Sequence, residues 1–210
     1  MAYLSHRLSA AMWARVLILW LTLAAGALLV GGIAIGMGTF VRNNIRDELA
    51  SQQISFTPAE NLTDEERAIP GMLDYAGQPL ETGNQAKVYA DLILLHLTEA
   101  AEEAGYPGAA YATLGGTQRE LRTEVAAAKE ANNEAALAEA QEKLDAVTAL
   151  RNTMLTGNTL RGNLLSAYGW DNVGLGVIAA GAVICLMALL FFLLFIFERR
   201  RGHLPPTDIS

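Results

Sequence analysis

One cysteine, Cys185, stands in 210 residues. That scarcity excludes an intrachain disulfide and any thiolate cluster for zinc or iron–sulfur. Because Cys185 lies deep in an apolar run, it also excludes a lipid-modified N-terminal cysteine. There are three histidines, and of the positions between the two apolar runs only His96 is one. No Cys-x-x-Cys-His occurs, and neither run contains histidine, so neither can ligate haem by imidazole. Both runs also lack Asp, Glu, Lys and Arg. A proton or ion relay through them has no ionisable group to use.

The runs themselves are the strongest signal present. Val16–Phe40 and Val173–Phe197 are each 25 residues long. Each would measure about 37 Å as a helix, and a hydrocarbon core of roughly 30 Å needs less. The chain therefore divides into an N-terminus (1–15), a first transmembrane helix (16–40), an intervening domain (41–172), a second transmembrane helix (173–197) and a tail (198–210). The first run is too long for a signal-peptide core and closes without an Ala-x-Ala site, reading Gly38-Thr39-Phe40-Val41-Arg42. Arg7 and Arg15 precede the first run and Arg199-Arg200-Arg201 follow the second, so both ends are expected in the cytoplasm of a plasma-membrane protein. Arg42 and Arg46 argue mildly the other way. The domain between has 10 Lys/Arg against 20 Asp/Glu and is expected on the outer, periplasmic side.

The expected fold is all-α: two transmembrane helices bracketing an extracytoplasmic domain of about three to four helices, with a long irregular loop at its start. That loop, 41–83, holds Pro58, Pro70 and Pro79, a candidate short strand at Gln53–Phe56 and a turn of helix at Thr63–Arg67. A structureless stretch of that length is unusual and could lie against a partner. From Asn84 to Ala104 apolar residues recur with helical period, and Gly105 with Pro107 is a stop signal. Gly115-Gly116 reads as a break, and Thr117-Gln118-Arg119-Glu120 as a capping box opening a helix at Gln118. Between 118 and 156, a hairpin turning at Asn132-Asn133 buries the apolar stripes better than one long helix. Gly157-Asn158 should end that run, with a short helix from Thr159 to Tyr168 leading into the second span.

Candidate sites are few. His96, Glu99 and Glu103 share a helix face, yet a polar edge of an amphipathic helix explains them better than a metal site, and no metal or other cofactor is expected. No carboxylate pair is singled out for hydrolysis, so no enzyme is expected. In the first span Gly32-Ile33-Ala34-Ile35-Gly36 is a Gly-x-x-x-Gly, and the second carries Gly176 and Gly181. Small residues let helices approach closely in lipid, so Gly32, Gly36, Gly176 and Gly181 form the expected helix-packing interface, with each other or with another protein. Tyr168 and Trp170 suit anchoring at the membrane boundary. The sequon Asn61-Leu62-Thr63 is short enough to occur by chance.

The stretch Thr159-Leu160-Arg161-Gly162-Asn163-Leu164-Leu165-Ser166-Ala167-Tyr168-Gly169-Trp170 before the second span resembles a family of actinobacterial two-span membrane proteins. Ile54-Ser55-Phe56 and Ala86-Lys87-Val88-Tyr89-Ala90-Asp91 followed by His96 are similar to it too. That family includes accessory subunits of the cytochrome bcc–aa3 respiratory supercomplex. The resemblance implies a non-catalytic accessory subunit that stabilises or organises its partners. Those partners would be integral membrane subunits, cytochrome bcc and aa3 oxidase subunits among them, together with lipid and no nucleic acid. The alternative is a stand-alone membrane-anchored sensor whose helical domain binds a ligand. The 13 residues after the second run leave little room for an output domain, which weighs against signalling by this chain alone.

Overall fold

The computed structural model describes residues 10–201, and every element in them is helical: α1 (Ala10–Ser51), a 3-10 turn (Ala59–Asn61), α2 (Asp64–Arg67), α3 (Met72–Tyr75), α4 (Gly83–Glu103), α5 (Tyr111–Glu130) and α6 (Glu134–Arg201). The expectation resting on Arg7, and the tail from 202 to 210, fall outside these residues. Two helices, α1 and α6, are long and apolar enough to cross a membrane. The chain forms two compact units, one from 45–171 and one from the remaining parts of α1 and α6.

The segment 41–83 departs from the expected loop. Residues 41–51 continue α1, and 52–82 form a strap of short turns, four of whose apolar side chains are core while Leu73 stays exposed. Phe56, Leu62, Met72 and Leu80 are at most 6% exposed and pack with Leu49 of α1, Ala86, Val88, Ala90 and Leu92 of α4, and Leu164 of α6. Sparse periodicity predicts a loop, but the apolar residues of the strap come singly or in pairs between turn residues, so no period can show. Phe56 also meets Tyr89 edge-on, with ring centroids 5.4 Å apart. In place of a strand, one antiparallel bridge pairs Ser55 with Pro79: the Phe56 N–H donates to the Gln78 carbonyl and the Leu80 N–H to the Ile54 carbonyl, both at 2.9 Å.

Two capping boxes start helices in the strap. The Thr63 hydroxyl accepts from the Glu66 N–H at 3.1 Å while Glu66 Oε2 accepts from the Thr63 N–H at 2.9 Å. For α4, the Thr82 hydroxyl accepts from the Gln85 N–H and Gln85 Oε1 accepts from both the Glu81 and Thr82 N–H groups. Each box satisfies amides that a helix start leaves bare. The end of α4 is a left-handed Gly105 (φ 81°), with the Tyr106 N–H reaching back to the Ala101 carbonyl at 2.8 Å, as a glycine-closed helix requires.

A second core joins α4, α5 and α6 through Leu97, Ala101, Leu114, Leu121, Val147, Leu150 and Met154. The α5–α6 hairpin turns at Asn132 (φ 51°), with Asn133 Oδ1 accepting from the Ala136 N–H to cap α6. Two expectations fail here, both at glycines. Helix α5 begins at Tyr111, so Gly115-Gly116 and the supposed cap Thr117 are helix interior. Helix α6 runs unbroken through Gly157-Asn158, so there is no separate 159–168 helix. The cause is tertiary: a methyl group on Gly157 would sit 2.7 Å from a Leu97 methyl, and one on Gly115 would sit 3.4 Å from an Arg151 guanidinium nitrogen. Gly157 permits close approach, and the packing it allows outweighs its helix cost of about 1 kcal/mol, whereas a methyl group on Gly115 would make an ordinary contact.

Candidate interaction surfaces

Within the unit formed by the apolar parts of α1 and α6, the helices meet along small residues at seven-residue spacing. A methyl group on Gly31 would lie 2.5 Å from the Cys185 sulfur and 2.8 Å from the Gly181 carbonyl oxygen. One on Gly38 would lie 2.6 Å from the Gly174 carbonyl oxygen. One heptad further along, Ala24 and Ala188 are 7% and 4% exposed. The two series, Ala24, Gly31 and Gly38 on α1 and Gly174, Gly181 and Ala188 on α6, run antiparallel. A seven-residue period is that of left-handed helix packing, and Trp20 closes on Phe191 with ring centroids 5.8 Å apart.

Of the four glycines expected at this interface, Gly181 is in it. Gly32, Gly36 and Gly176 have no atom within 4 Å of where a side chain would begin, so they face outward from the pair. The Gly-x-x-x-Gly spacing points to Gly32 and Gly36. The seam uses their neighbours Gly31 and Gly38 instead, because a heptad spacing keeps them on one side of α1. The signal for this was the seven-residue spacing of Gly31, Gly38, Gly174 and Gly181, which sequence reasoning passed over.

The unit 45–171 carries its own polar features. Between α5 and α6, Arg151 Nη1 donates to Gln118 Oε1 at 2.8 Å, Gln118 Nε2 donates to the Thr148 hydroxyl at 2.7 Å, and the Arg151 guanidinium lies 4.3 Å from the Tyr111 ring centre. Gln118 is 5% exposed, so this network satisfies a buried amide. The Arg151 and Arg161 Nε atoms are buried without a hydrogen-bond partner among the described residues. Arg46 pairs with Glu81 at 2.9 Å, and Lys87 with Asp91.

His96 reaches Glu66 across from α4 to α2, with Nε2 2.9 Å from Oε1. The backbone bond from Thr63 and then the His96 contact hold the Glu66 carboxyl below its ordinary value. Glu99 and Glu103 do not join His96 in a cluster: among the described residues no group of three His, Cys, Asp or Glu side chains could hold a metal ion. Tyr168 is half-buried and Trp170 is 59% exposed. Asp171 packs on the first turn of α4, where a methyl on Gly83 would meet its Cβ at 2.5 Å. A carboxylate there faces the positive end of the helix dipole. Shallow grooves mark this unit. One of about 280 Å³ is lined by Ile45, Glu48, Leu49, Gln52, Leu160, Asn163, Leu164 and Ala167. Another, about 250 Å³, runs beside Leu94, Leu97, Ala101 and Met154. No family model, curated protein or solved structure matches the chain.

Proposed function

We propose that this chain is a non-catalytic accessory subunit of a membrane-protein complex, with both ends cytoplasmic and 45–171 on the outer side. The observation that carries this reading is the division of its glycines. Gly31, Gly38, Gly174 and Gly181 serve the intrachain seam, whereas Gly32, Gly36 and Gly176 remain open on faces that nothing among the described residues covers. In lipid, where apolar surface alone gives no drive to associate, open small-residue faces favour close approach by another helix. The acidic domain would add charge complementarity to a partner's outer domain, acting on specificity and encounter rate. The motif resemblance in 54–56, 86–96 and 159–170 makes the bcc–aa3 respiratory supercomplex the most specific candidate.

Purification in mild detergent tests this. The chain should co-purify with integral, haem-containing subunits, and Gly32→Leu with Gly36→Leu should release it while leaving its own fold intact. A chain that runs alone as a small particle defeats the reading. The groove beside Ile45, Glu48 and Asn163 favours a second reading, a ligand-binding sensor. Ligand-dependent thermal shifts of the isolated full chain would support that one instead.

A further inference from the structure

The strap 52–82 forms one wall of the first core, yet residues 57–75 have few polar ties to the rest of the unit. Arg67 bonds back to the Leu62 and Ala59 carbonyls, Gln78 to the Asp74 carbonyl, and the Thr63 box closes on itself. One side-chain hydrogen bond joins this stretch to another element among the described residues, that of His96 with Glu66. The Glu66 side chain is 13% exposed and His96 52%. The two carboxylate oxygens of Glu66 are divided, Oε1 to His96 on α4 and Oε2 to the Thr63 N–H. One anion thus completes the start of α2 and ties α2 to α4.

We infer that His96 and Glu66 form a pH-sensitive latch that sets how tightly the strap closes over the Leu62 and Met72 part of the core. Histidine ordinarily changes charge between about pH 5 and 8. Below that change an imidazolium donates a charge-assisted bond to Glu66; above it a neutral ring offers a weaker one. Other ionisable groups near this contact are few. On α2, Asp64 and Glu65 share the first turn, and Arg67 is turned to backbone carbonyls. On α4, Glu99 and Glu103 follow on the His96 face. On α6, which meets α4 at Gly157 and Leu97, Arg161 is the one charged residue within four positions of that glycine. On α5, no charged residue lies within four positions of Leu114, which shares the Leu97 cluster. Glu66 is the acid in hydrogen-bond contact, and no charge besides that of His96 contributes to the lowering of its carboxyl.

Hydrogen exchange of the full chain in detergent, at about pH 5.5 and 8 and corrected for intrinsic rates, reads this directly. Amides of Ala68, Ile69 and Met72 should be about two- to fivefold better protected at the lower pH, the scale of an exposed ion pair. Protection within α4 should not change, and serves as the internal standard. His96→Gln and Glu66→Gln should each abolish the pH difference. If His96→Gln also lowers protection across α4, it has disturbed the fold and Glu66→Gln decides. Equal strap protection at the two pH values in the natural chain overturns the latch, as does a pH difference that survives Glu66→Gln.

Discussion

The same two helices, α1 and α6, are held together by opposite means in the two units. In 45–171 the contacts are large: Leu49 and Leu164 are 3% and 2% exposed and join a core of Phe56, Met72 and Leu80. In the apolar unit the contacts are minimal, with Gly31 and Gly38 of α1 against Gly181 and Gly174 of α6. The difference is the one expected of apolar stretches long enough to cross a membrane. Beside water, burying large apolar side chains is what stabilises, at about 25 cal/mol per Å². Between lipid tails that gain vanishes, and association rests on backbone-close packing. Large side chains there turn outward: Leu28, Leu29, Leu186 and Phe197 are 57–66% exposed.

Truncating a large side chain should therefore separate the two regions most sharply. Met72→Ala removes a side chain that is 0% exposed, in the strap that closes the first core. It should cost about 2–5 kcal/mol of domain stability, measured by urea unfolding in detergent. Leu28→Ala, in a residue 61% exposed, should change that figure by less than about 0.5 kcal/mol. Equal effects would mean that the apolar face of α1 is covered by protein within the chain.

The converse substitution enlarges a glycine. Gly181→Leu drives its side chain at the Gly31 carbonyl oxygen, 2.8 Å from the first carbon added, and a backbone atom cannot turn aside. It should cost the pair about 1–3 kcal/mol. With Trp13 and Trp170 replaced by Phe, emission from Trp20 should shift as its contact with Phe191 loosens, whereas Gly32→Leu should leave that emission unchanged. A shift with Gly32→Leu would place that glycine in the seam.

This contrast also explains what was legible in advance. The two apolar runs, the extent of α4 and the Asn132-Asn133 turn could be read because each is a local pattern of period or turn chemistry. The glycines were misread because their roles are tertiary. Gly157 looks like a break but admits Leu97. The strap was illegible because Leu62, Met72 and Leu80 lie in short apolar pieces among turns, and their burial is decided by α4 and α6. Of the candidate interaction residues, Gly181 is tied to a contact, while its partners Gly31 and Gly38 carried a seven-residue spacing that the Gly-x-x-x-Gly reading passed over.

Three of the four Thr-x-x-Glu/Gln sequences give a smaller test of the same point. Those at Thr63 and Thr82 cap helices, while that at Thr117 lies inside α5. Thr82→Ala should cost about 1 kcal/mol by removing the acceptor for the Gln85 N–H. Thr117→Ala should be neutral or slightly stabilising, since alanine is the better interior residue. Urea midpoints at constant slope distinguish the two, and a loss on Thr117→Ala would restore the helix start at Gln118.

The smallest effect concerns acid. The Thr63 N–H and then His96 hold the Glu66 carboxyl below its ordinary range, so the folded form favours the ionised state more than the unfolded chain does. The stabilisation is accordingly full above the ordinary carboxylate range and is lost as pH falls through the lowered folded value. Because His96 is more than half exposed, the pair contributes no more than about 1 kcal/mol. Glu66→Gln should leave a domain slightly less stable at about pH 5.5, with the deficit closing as the natural protein is titrated further down, below about pH 4.5. The apolar unit provides the contrast: its seam of Gly31, Gly38, Gly174 and Gly181 has no group that titrates there, so Trp20 emission should stay constant over the same acid range. A deficit for Glu66→Gln that grows as pH falls below about 4.5 would reverse the assigned sign and show that the carboxyl is more stable protonated in the fold.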